Sequence, residues 1–164
     1  NSLSLPKGAT WFVSCYEIET AKRVLGSVLS DPEVCCGMRV TGVRLADPPQ
    51  FTSQQRFLVS TPGLVRPYDG QTITHLTFSE KDSDALLTQT LLRKMKKAGL
   101  EGADVAVEFD RTYPKARTKL VTIKGINNKA SLCPVIVKGS PEAVAFAWEV
   151  GVGHSTGSGF GALC

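Results

Sequence analysis

The chain has 164 residues, 42% of them hydrophobic, which fits a globular protein of one or two small domains. It holds no apolar run long enough to span a membrane, no signal-peptide pattern, and no CxxC pair among its five cysteines that would indicate a zinc site or a disulfide scaffold. The formal charge is +4. From the cysteine pattern we expect a cytoplasmic protein with reduced thiols, and we expect it to need no cofactor and no metal.

A single β-α-β pattern occupies the first third of the chain. The apolar run Trp11–Tyr16 predicts a strand, the spacing of apolar residues predicts a helix over Glu17–Leu29, and the alternation over Met38–Leu45 predicts a second strand. A complete β-α-β-β-α-β unit would need a further β-α pair upstream. Since the chain begins with Asn1 rather than Met, we expect this first unit to be incomplete.

The second unit shows the complete order of strands and helices. The proline-rich Asp47-Pro48-Pro49 predicts a boundary, which divides the chain into domains 1–49 and 50–164. The predicted elements after it are the strand pair Arg56–Val65 and Gln71–Phe78, the helix Asp82–Ala98, the strand Ala103–Phe109, the hairpin arms Leu120–Ile126 and Ser131–Val137 around Asn127-Asn128, the helix Ser140–Val150 and a C-terminal strand. This order predicts an α+β fold of tandem ferredoxin-like units, the first incomplete and the second complete.

Positive charge is concentrated in one segment of the chain. Residues 111–138 contain seven basic residues and no Asp or Glu, whereas the remainder holds twelve basic and fifteen acidic residues. Such a block is typical of a surface that meets a polyanion, although a solvated lysine-rich hairpin would have the same composition. The cations that we expect to contact a phosphate backbone are Arg111, Lys115, Arg117, Lys119, Lys124 and Lys129.

The C-terminal segment Gly151–Gly161, which we call the glycine loop, holds five of the fifteen glycines. Glycine lets a partner approach the backbone closely, and neighbouring N–H groups can bind a phosphate. The loop follows a helix and lacks the third glycine of a dinucleotide fingerprint and the Gly-Lys-Ser/Thr of a Walker motif. It is either a phosphate-binding loop or a tight helix-to-strand connection. In the first case the contacting residues are Gly151, Gly153, His154, Ser155, Gly157, Gly159 and Gly161.

The two histidines do not form a recognisable catalytic pattern. His75 lies in a strand-like run and is expected to be structural, whereas His154 lies in the glycine loop and could act as an acid or base, bind phosphate or face solvent. An RNA-recognition motif shares the strand order but needs aromatic residues on its third strand. Since the hairpin region 120–137 contains no aromatic residue, we do not expect bases to stack on the sheet.

The combined pattern resembles a known superfamily. Gly151-x-Gly153 followed by Gly159-Phe160-Gly161 resembles the glycine-rich signature of the repeat-associated mysterious proteins (RAMPs) of CRISPR systems. Lys138–Val150 is similar to the helix that precedes this signature in the CRISPR RNA-processing endoribonucleases, the Cas-six family, and Phe57–Val65 is similar to the segment that opens their second domain. The resemblance implies two tandem ferredoxin-like domains that bind the repeat of precursor CRISPR RNA, with other Cas subunits as further partners and no membrane.

The resemblance also implies a reaction. Members of the family cleave the repeat without a metal, by attack of a ribose 2′-OH on the adjacent phosphate. No residue of this sequence matches the family's usual catalytic histidine, which lies early in the first domain, so we assign no catalytic residue. Two alternatives stay open: a non-catalytic RNA-binding RAMP subunit of a CRISPR effector complex, and a ferredoxin-like domain that binds a small regulatory molecule. The uneven charge argues against the second.

Overall fold

A computed structural model describes residues 8–35, 37–67, 74–100 and 104–164. Contacts between Cα atoms divide the chain into two compact units, Asn1–Leu45 and Ala46–Cys164. The domain boundary predicted after residue 49 stays a prediction. Parts of two predicted strands, residues 71–73 and residue 103, lie outside the described residues.

In the described part of the first unit there is one helix, α1, which spans Ile18–Ser30 and confirms the predicted helix to within one residue at each end. The strands predicted over Trp11–Tyr16 and Met38–Leu45 are wrong, because both segments are irregular apart from a single bridge between Glu33 and Arg39. A strand needs a hydrogen-bonded neighbour, and the described part of this unit supplies none along either segment.

The second unit is a mixed α+β unit built on an antiparallel sheet. Its elements are β1 (Gln54–Phe57), α2 (Asp82–Lys97), β2 (Val105–Phe109), β3 (Arg117–Ile123), β4 (Ile126–Leu132), β5 (Val135–Gly139), α3 (Pro141–Val150) and a 3₁₀ turn (Thr156–Ser158). The sheet order is β1-β5-β2, and β3 and β4 form a separate hairpin. The C-terminus then returns to the sheet, because Leu58 exchanges two backbone hydrogen bonds with Cys164. The ferredoxin-like prediction is therefore confirmed.

The two long helices of this unit cover one face of the sheet. α2 contacts β2, whereas α3 contacts β5 and β1. Leu87 and Leu91 of α2, Val144 of α3 and Val137 of β5 are each fully buried in one core. Burying an aliphatic side chain of this size stabilises a fold by about 1.5–3 kcal/mol, so this core is the main source of stability.

Local signals in the sequence explain where the helices begin and end. The side chain of Ser140 accepts a hydrogen bond from Ala143 N at 3.2 Å, and Pro141 occupies the first turn of α3, where its missing N–H costs nothing. α2 ends just before Gly99, whose φ of +78° is unfavourable for other residues. Both helices therefore confirm their predicted positions.

The hairpin turns at a different place from the one predicted. The turn residues are Lys124 and Gly125, with φ of 49° and 79°, as a two-residue turn of type I′ requires. Asn127 and Asn128 lie within β4, so the predicted turn is wrong. The predicted second arm, Ser131–Val137, is interrupted at Pro134, which has no N–H to donate to a neighbouring strand.

The predicted strand Arg56–Val65 is only partly formed. After β1 ends at Phe57, the chain makes single bridges from Val59 to Leu163, from Gly63 to Ser131 and from Val65 to Leu76. Pro62 cannot donate to a ladder, so a continuous strand is broken here. The segment 61–66 thereby leaves the sheet and runs between the hairpin and the glycine loop.

Candidate nucleic-acid interface

Segment 61–66 holds the hairpin and the glycine loop side by side. Gly63 and Ser131 of β4 exchange two backbone hydrogen bonds of 2.8 Å. From the other elements, Gly161 N donates to Pro62 O at 3.0 Å and His154 N donates to Leu64 O at 2.7 Å. The two features that the sequence singled out are therefore attached to the same short piece of backbone.

A small apolar cluster reinforces this arrangement. Leu64, Ala130 of β4 and Phe160 of the glycine loop are buried together, and Val121 of β3 packs against them. Because the three elements share one core, the distance between hairpin and loop is set by side-chain packing as well as by hydrogen bonds.

A cleft of about 360 Å³ opens at this junction. Its walls are formed by Thr61 and Pro62, by residues 119–123 of β3 and by Ser158–Phe160 of the glycine loop. We call it the hairpin cleft. Lys119 is the basic residue of its lining, and Gly159 contributes backbone without a side chain. A phosphate placed here would meet a cation and a backbone surface without side chains.

Most of the predicted basic contacts are free to meet a ligand. In the part of the chain that the structure describes, none of the hairpin cations forms an ion pair within 4.0 Å. The hairpin cations do not share one face. Successive residues of a strand point to opposite faces, so Lys119 and Leu120 lie on different faces. Lys129 pairs with Leu120 and therefore lies on the face opposite to that of Lys119. The exposed cations of this region are Lys115, Arg117, Lys119, Lys124 and Lys129.

Arg111 does not belong to this group, which corrects the sequence-based prediction. Its Nη1 lies 2.6 Å from Asp84 Oδ2, and its Nη2 donates to Glu80 O at 3.1 Å. The guanidinium therefore joins the end of β2 to the start of α2. Sequence reasoning could not separate this structural arginine from the hairpin cations, because Asp84 is 27 residues away along the chain.

The five glycines of the glycine loop fall into two groups. A Cβ atom on Gly153 would lie 2.5 Å from Leu64 O, and one on Gly161 would lie 1.9 Å from Val152 O. These two residues and Gly151 are buried, so the prediction that their backbone faces a ligand is corrected: they form the tight connection. Gly157 and Gly159 are exposed, and a Cβ atom there would have no neighbour within 4 Å. Only these two offer open backbone to a partner.

The comparisons with known proteins decide the family. The model of the family described as CRISPR associated protein Cas6, C-terminal, matches residues 46–164. This chain belongs to that Cas6 family. The family predicted from the glycine signature is thereby confirmed, and the matched residues include both the hairpin cleft and the glycine loop.

Solved structures share the fold. One, described as a Cas6-related gene product from Pyrococcus furiosus, has a TM-score of 0.78 at 21% identity. A second, described as a RAMP protein binding different RNA substrates, has a TM-score of 0.76 at 20% identity. A third, a CRISPR associated protein Cas6, has a TM-score of 0.74 at 21% identity. Each match covers 92% of this chain and 65% of the other, so the chain spans about two thirds of their length.

No curated relative matches the sequence. Within the described residues, the Cas6-family chain has no helix that is both long and apolar enough to cross a bilayer.

Arg66 is hydrogen-bonded to two residues of the glycine loop, His154 and Ser155. Arg66 N donates to His154 Nδ1 at 3.2 Å, and Arg66 Nη2 donates to Ser155 Oγ at 2.8 Å. Burial, together with the charges of Arg66, Arg93 and Lys94, lowers the pKa of His154. The imidazole is therefore neutral at neutral pH, and because Nδ1 accepts a hydrogen bond, its proton is on Nε2.

Lys94 is a contact that the sequence analysis missed. Its Nζ donates to Gly151 O at 2.9 Å and to Thr156 Oγ1 at 3.1 Å. These two hydrogen bonds attach α2 to the glycine loop at residues 151 and 156. Burial lowers the pKa of Lys94 to about 8. The signal was present in the spacing: position 94 follows Leu87 by seven and Leu91 by three residues, on the buried side of α2.

Proposed function

We propose that this chain binds the repeat of precursor CRISPR RNA and that the hairpin cleft holds part of its phosphate backbone. The observation that carries the proposal is the meeting of Lys119, which forms no ion pair among the described residues, with the open backbone of Gly159 at one cleft. Membership of the Cas6 family and the likeness to a structure described as binding RNA substrates support the same partner.

The chemistry of the cleft suits a ribose-phosphate chain. Lys119 supplies a cation, and Leu120 and Ile123 of the same strand are large apolar side chains that are 61% and 37% exposed. Cations neutralise phosphates and release bound counterions, which makes the affinity fall as salt rises. Folded RNA is recognised largely by shape and by its backbone, so a projecting basic hairpin is a suitable element for contacting a stem.

For the complete protein we propose metal-independent cleavage of the bound repeat. A ribose 2′-oxygen attacks the adjacent phosphorus, and the bond from phosphorus to the 5′-oxygen breaks. The 2′-hydroxyl gives its proton to a general base, and the leaving 5′-oxygen receives a proton from a general acid. The products are a 2′,3′-cyclic phosphate and a 5′-hydroxyl. No residue of this chain is assigned to either proton transfer.

Fluorescence anisotropy with a labelled CRISPR repeat hairpin tests RNA binding. The affinity should be measured over a range of salt concentrations, with an unrelated stem-loop of equal length for comparison. We expect tighter binding of the repeat, and we expect Lys119→Gln to lower the slope of log affinity against log salt by about one unit.

Arg111→Gln is the matched control, because it removes one positive charge that is already engaged by Asp84. We expect it to leave the salt slope unchanged and to lower the stability of the fold. Equal affinity for the two RNAs, or equal slopes for all three proteins, would overturn the proposal. Binding without cleavage by the complete protein would instead favour a non-catalytic RAMP subunit.

A further inference from the structure

Lys94 is a partly buried lysine of α2 whose ammonium group contacts two separate parts of the glycine loop. Its Nζ donates to Gly151 O and to Thr156 Oγ1, and Val150 O lies 3.5 Å away. Gly151 follows the last residue of α3, and Thr156 begins the 3₁₀ turn. One side chain therefore holds both the start of the loop and the turn within it.

The charge of Lys94 is not balanced by a carboxylate. Among the described residues, Lys94 forms no ion pair within 4.0 Å, and neither does Glu149 near the end of α3, whose pKa is raised by burial. Arg66 and Arg93 act together with Lys94 to lower the pKa of the nearby His154. Burial lowers the pKa of Lys94 to about 8, so its ammonium form is less favourable here than in water.

The acceptors around the ammonium explain how its charge is tolerated. The last carbonyl groups of a helix have no partner within the helix and carry a partial negative charge, so a cation is favourable there. Val150 O and Gly151 O lie at that end of α3, and Thr156 Oγ1 is the third acceptor. An ammonium group has three protons to donate, whereas a neutral amine has two and donates more weakly. Only the protonated form of Lys94 can therefore serve all three acceptors.

The turn that Lys94 holds also carries the exposed glycine of the hairpin cleft. Ser158 N donates to Ser155 O, and Gly159 N donates to Thr156 O, each at 2.9 Å. Ser155, which precedes the turn, has a φ of 56°, an unfavourable conformation that persists only where the surrounding structure holds it. Thr156 is thus bonded to Lys94 through its side chain and to Gly159 through its backbone. Because Gly159 lines the cleft, a displacement of Thr156 would change the shape of the cleft.

We propose that Lys94 is a positioning residue: its ammonium group fixes the 3₁₀ turn so that Gly159 stays in the lining of the hairpin cleft, and loss of its proton releases the turn. Lys94 does not itself line the cleft, so it acts through Thr156. The proposal rests on the proposed function only in that the cleft receives RNA. Affinity for RNA should then fall as Lys94 loses its proton, whereas the stability of the fold should rise in the same direction of pH. A side chain that served stability alone would not move the two quantities in opposite directions.

Amide hydrogen exchange, measured by nuclear magnetic resonance at neutral pH without RNA, tests the positioning directly. Lys94→Met keeps an unbranched side chain and removes the ammonium group. We expect the amides of Ser158 and Gly159 to exchange about fivefold faster in this variant. The amide of Val144, which is bonded to Ser140 O at the other end of α3, should keep its rate. Unchanged exchange at Ser158 and Gly159 would overturn the proposal, and so would equal acceleration of all three amides, since that would mean a general loss of stability.

A pH series of RNA binding tests the role of the proton. The affinity for the labelled repeat hairpin is measured at constant ionic strength from about pH 7 to about pH 9. We expect the parent to lose about fivefold in affinity over this range and Lys94→Met to bind weakly throughout. Lys97→Gln, which removes an exposed positive charge from the same helix, should keep the pH dependence of the parent. Titrations common to all three proteins, including those of the RNA, cancel in this comparison. Parallel pH dependence in the parent and Lys94→Met would overturn the proposal.

Thr156→Val tests the same connection from the side of the loop. Valine keeps the shape of threonine but lacks Oγ1, which accepts from Lys94. We expect weaker RNA binding and faster exchange at Gly159, both by less than in Lys94→Met because the bond to Gly151 O remains. The two substitutions together should weaken binding by less than the sum of their separate effects on the free energy, because they remove the same hydrogen bond. Additive effects would contradict the connection between Lys94 and Thr156.

The outcomes separate this proposal from the proposed function. If exchange at Ser158 and Gly159 responds to Lys94→Met but the unaltered protein binds no repeat RNA, Lys94 holds the turn and the proposed function is refuted. If repeat RNA binds and responds to Lys119→Gln, while Lys94→Met alters neither the exchange rates nor the pH dependence, only the role of Lys94 is refuted.

Discussion

Gly161→Ala is expected to cost far more stability than a single methyl group ordinarily does. Gly161 has a φ of 64°, and a Cβ atom would lie 1.9 Å from Val152 O and 3.0 Å from Val152 C. The backbone cannot move aside, because Gly161 O accepts from Val152 N at 3.0 Å and Gly161 N donates to Pro62 O at 3.0 Å. Relief of the clash must therefore break hydrogen bonds that hold the glycine loop to segment 61–66.

The magnitude follows from three contributions. The left-handed conformation costs an alanine about 1–2 kcal/mol. Forcing an extra carbon into a packed site costs about 1–3 kcal/mol, and each lost hydrogen bond costs about 1 kcal/mol. We expect Gly161→Ala to lower the free energy of unfolding by about 4 kcal/mol, a large share of the roughly 5–15 kcal/mol that stabilises an ordinary domain.

Two alanine variants in the same loop serve as controls. Gly159 has a φ of 85° but no neighbour within 4 Å of a Cβ atom, so Gly159→Ala should cost only the conformational strain of about 1–2 kcal/mol. Gly157 has neither feature, and Gly157→Ala should be close to neutral or stabilise slightly, since alanine has less freedom than glycine in the unfolded chain.

Urea unfolding followed by tryptophan fluorescence measures all three values. Trp148 reports on the second unit, because its ring lies 5.8 Å from the ring of Phe51 and packs against the core. Trp11 is 80% exposed in the first unit and can be replaced by Phe in every protein compared. A loss below about 1 kcal/mol for Gly161→Ala, or equal losses for all three alanines, would refute the close packing of the loop.

Three further predictions concern the elements that support the site. Ser140→Ala removes the cap of α3 and should cost about 1 kcal/mol in urea unfolding; an unchanged value would mean that the cap contributes nothing. Leu91→Ala empties a fully buried position of α2 and should cost about 2–5 kcal/mol by the same assay, whereas a loss under 1 kcal/mol would contradict its burial. Because burial lowers the pKa of Lys94 from 10.5 to about 8, the unfolded chain binds more protons between these values and stability should rise with pH there. The difference in stability between the parent and Lys94→Met should therefore change across this range, and a constant difference would show that Lys94 titrates alike in both states.

Helices were easier to predict from the sequence than strands. α2 and α3 carry their own signals, since caps, a first-turn proline and a terminating glycine act within a few residues. The hairpin turn was misplaced because two nearby dipeptides, Lys124-Gly125 and Asn127-Asn128, are both compatible with a two-residue turn. The register of β3 against β4 decides between them, and the pairing of Val121 with Asn128 places both asparagines inside a strand.

The residues of the candidate site were also only partly predictable from the sequence. Sequence alone placed the exposed hairpin cations and the glycine loop, because composition and spacing are visible without a fold. It did not separate Arg111, which is bound by Asp84, from Lys119, which lines the cleft. It also gave Arg66 no role, because its partners His154 and Ser155 lie 88 and 89 residues further along the chain.

The family, the two helices of the second unit and the concentration of positive charge follow from the sequence by itself, because each depends on residue types and short spacings. Only the tertiary structure decided which glycines are sealed by packing and which stay open. Nothing in the sequence indicates that Val152 O would lie 1.9 Å from a Cβ atom at Gly161. Long-range hydrogen bonds and steric contacts between distant segments set that outcome, and they exist only in the folded chain.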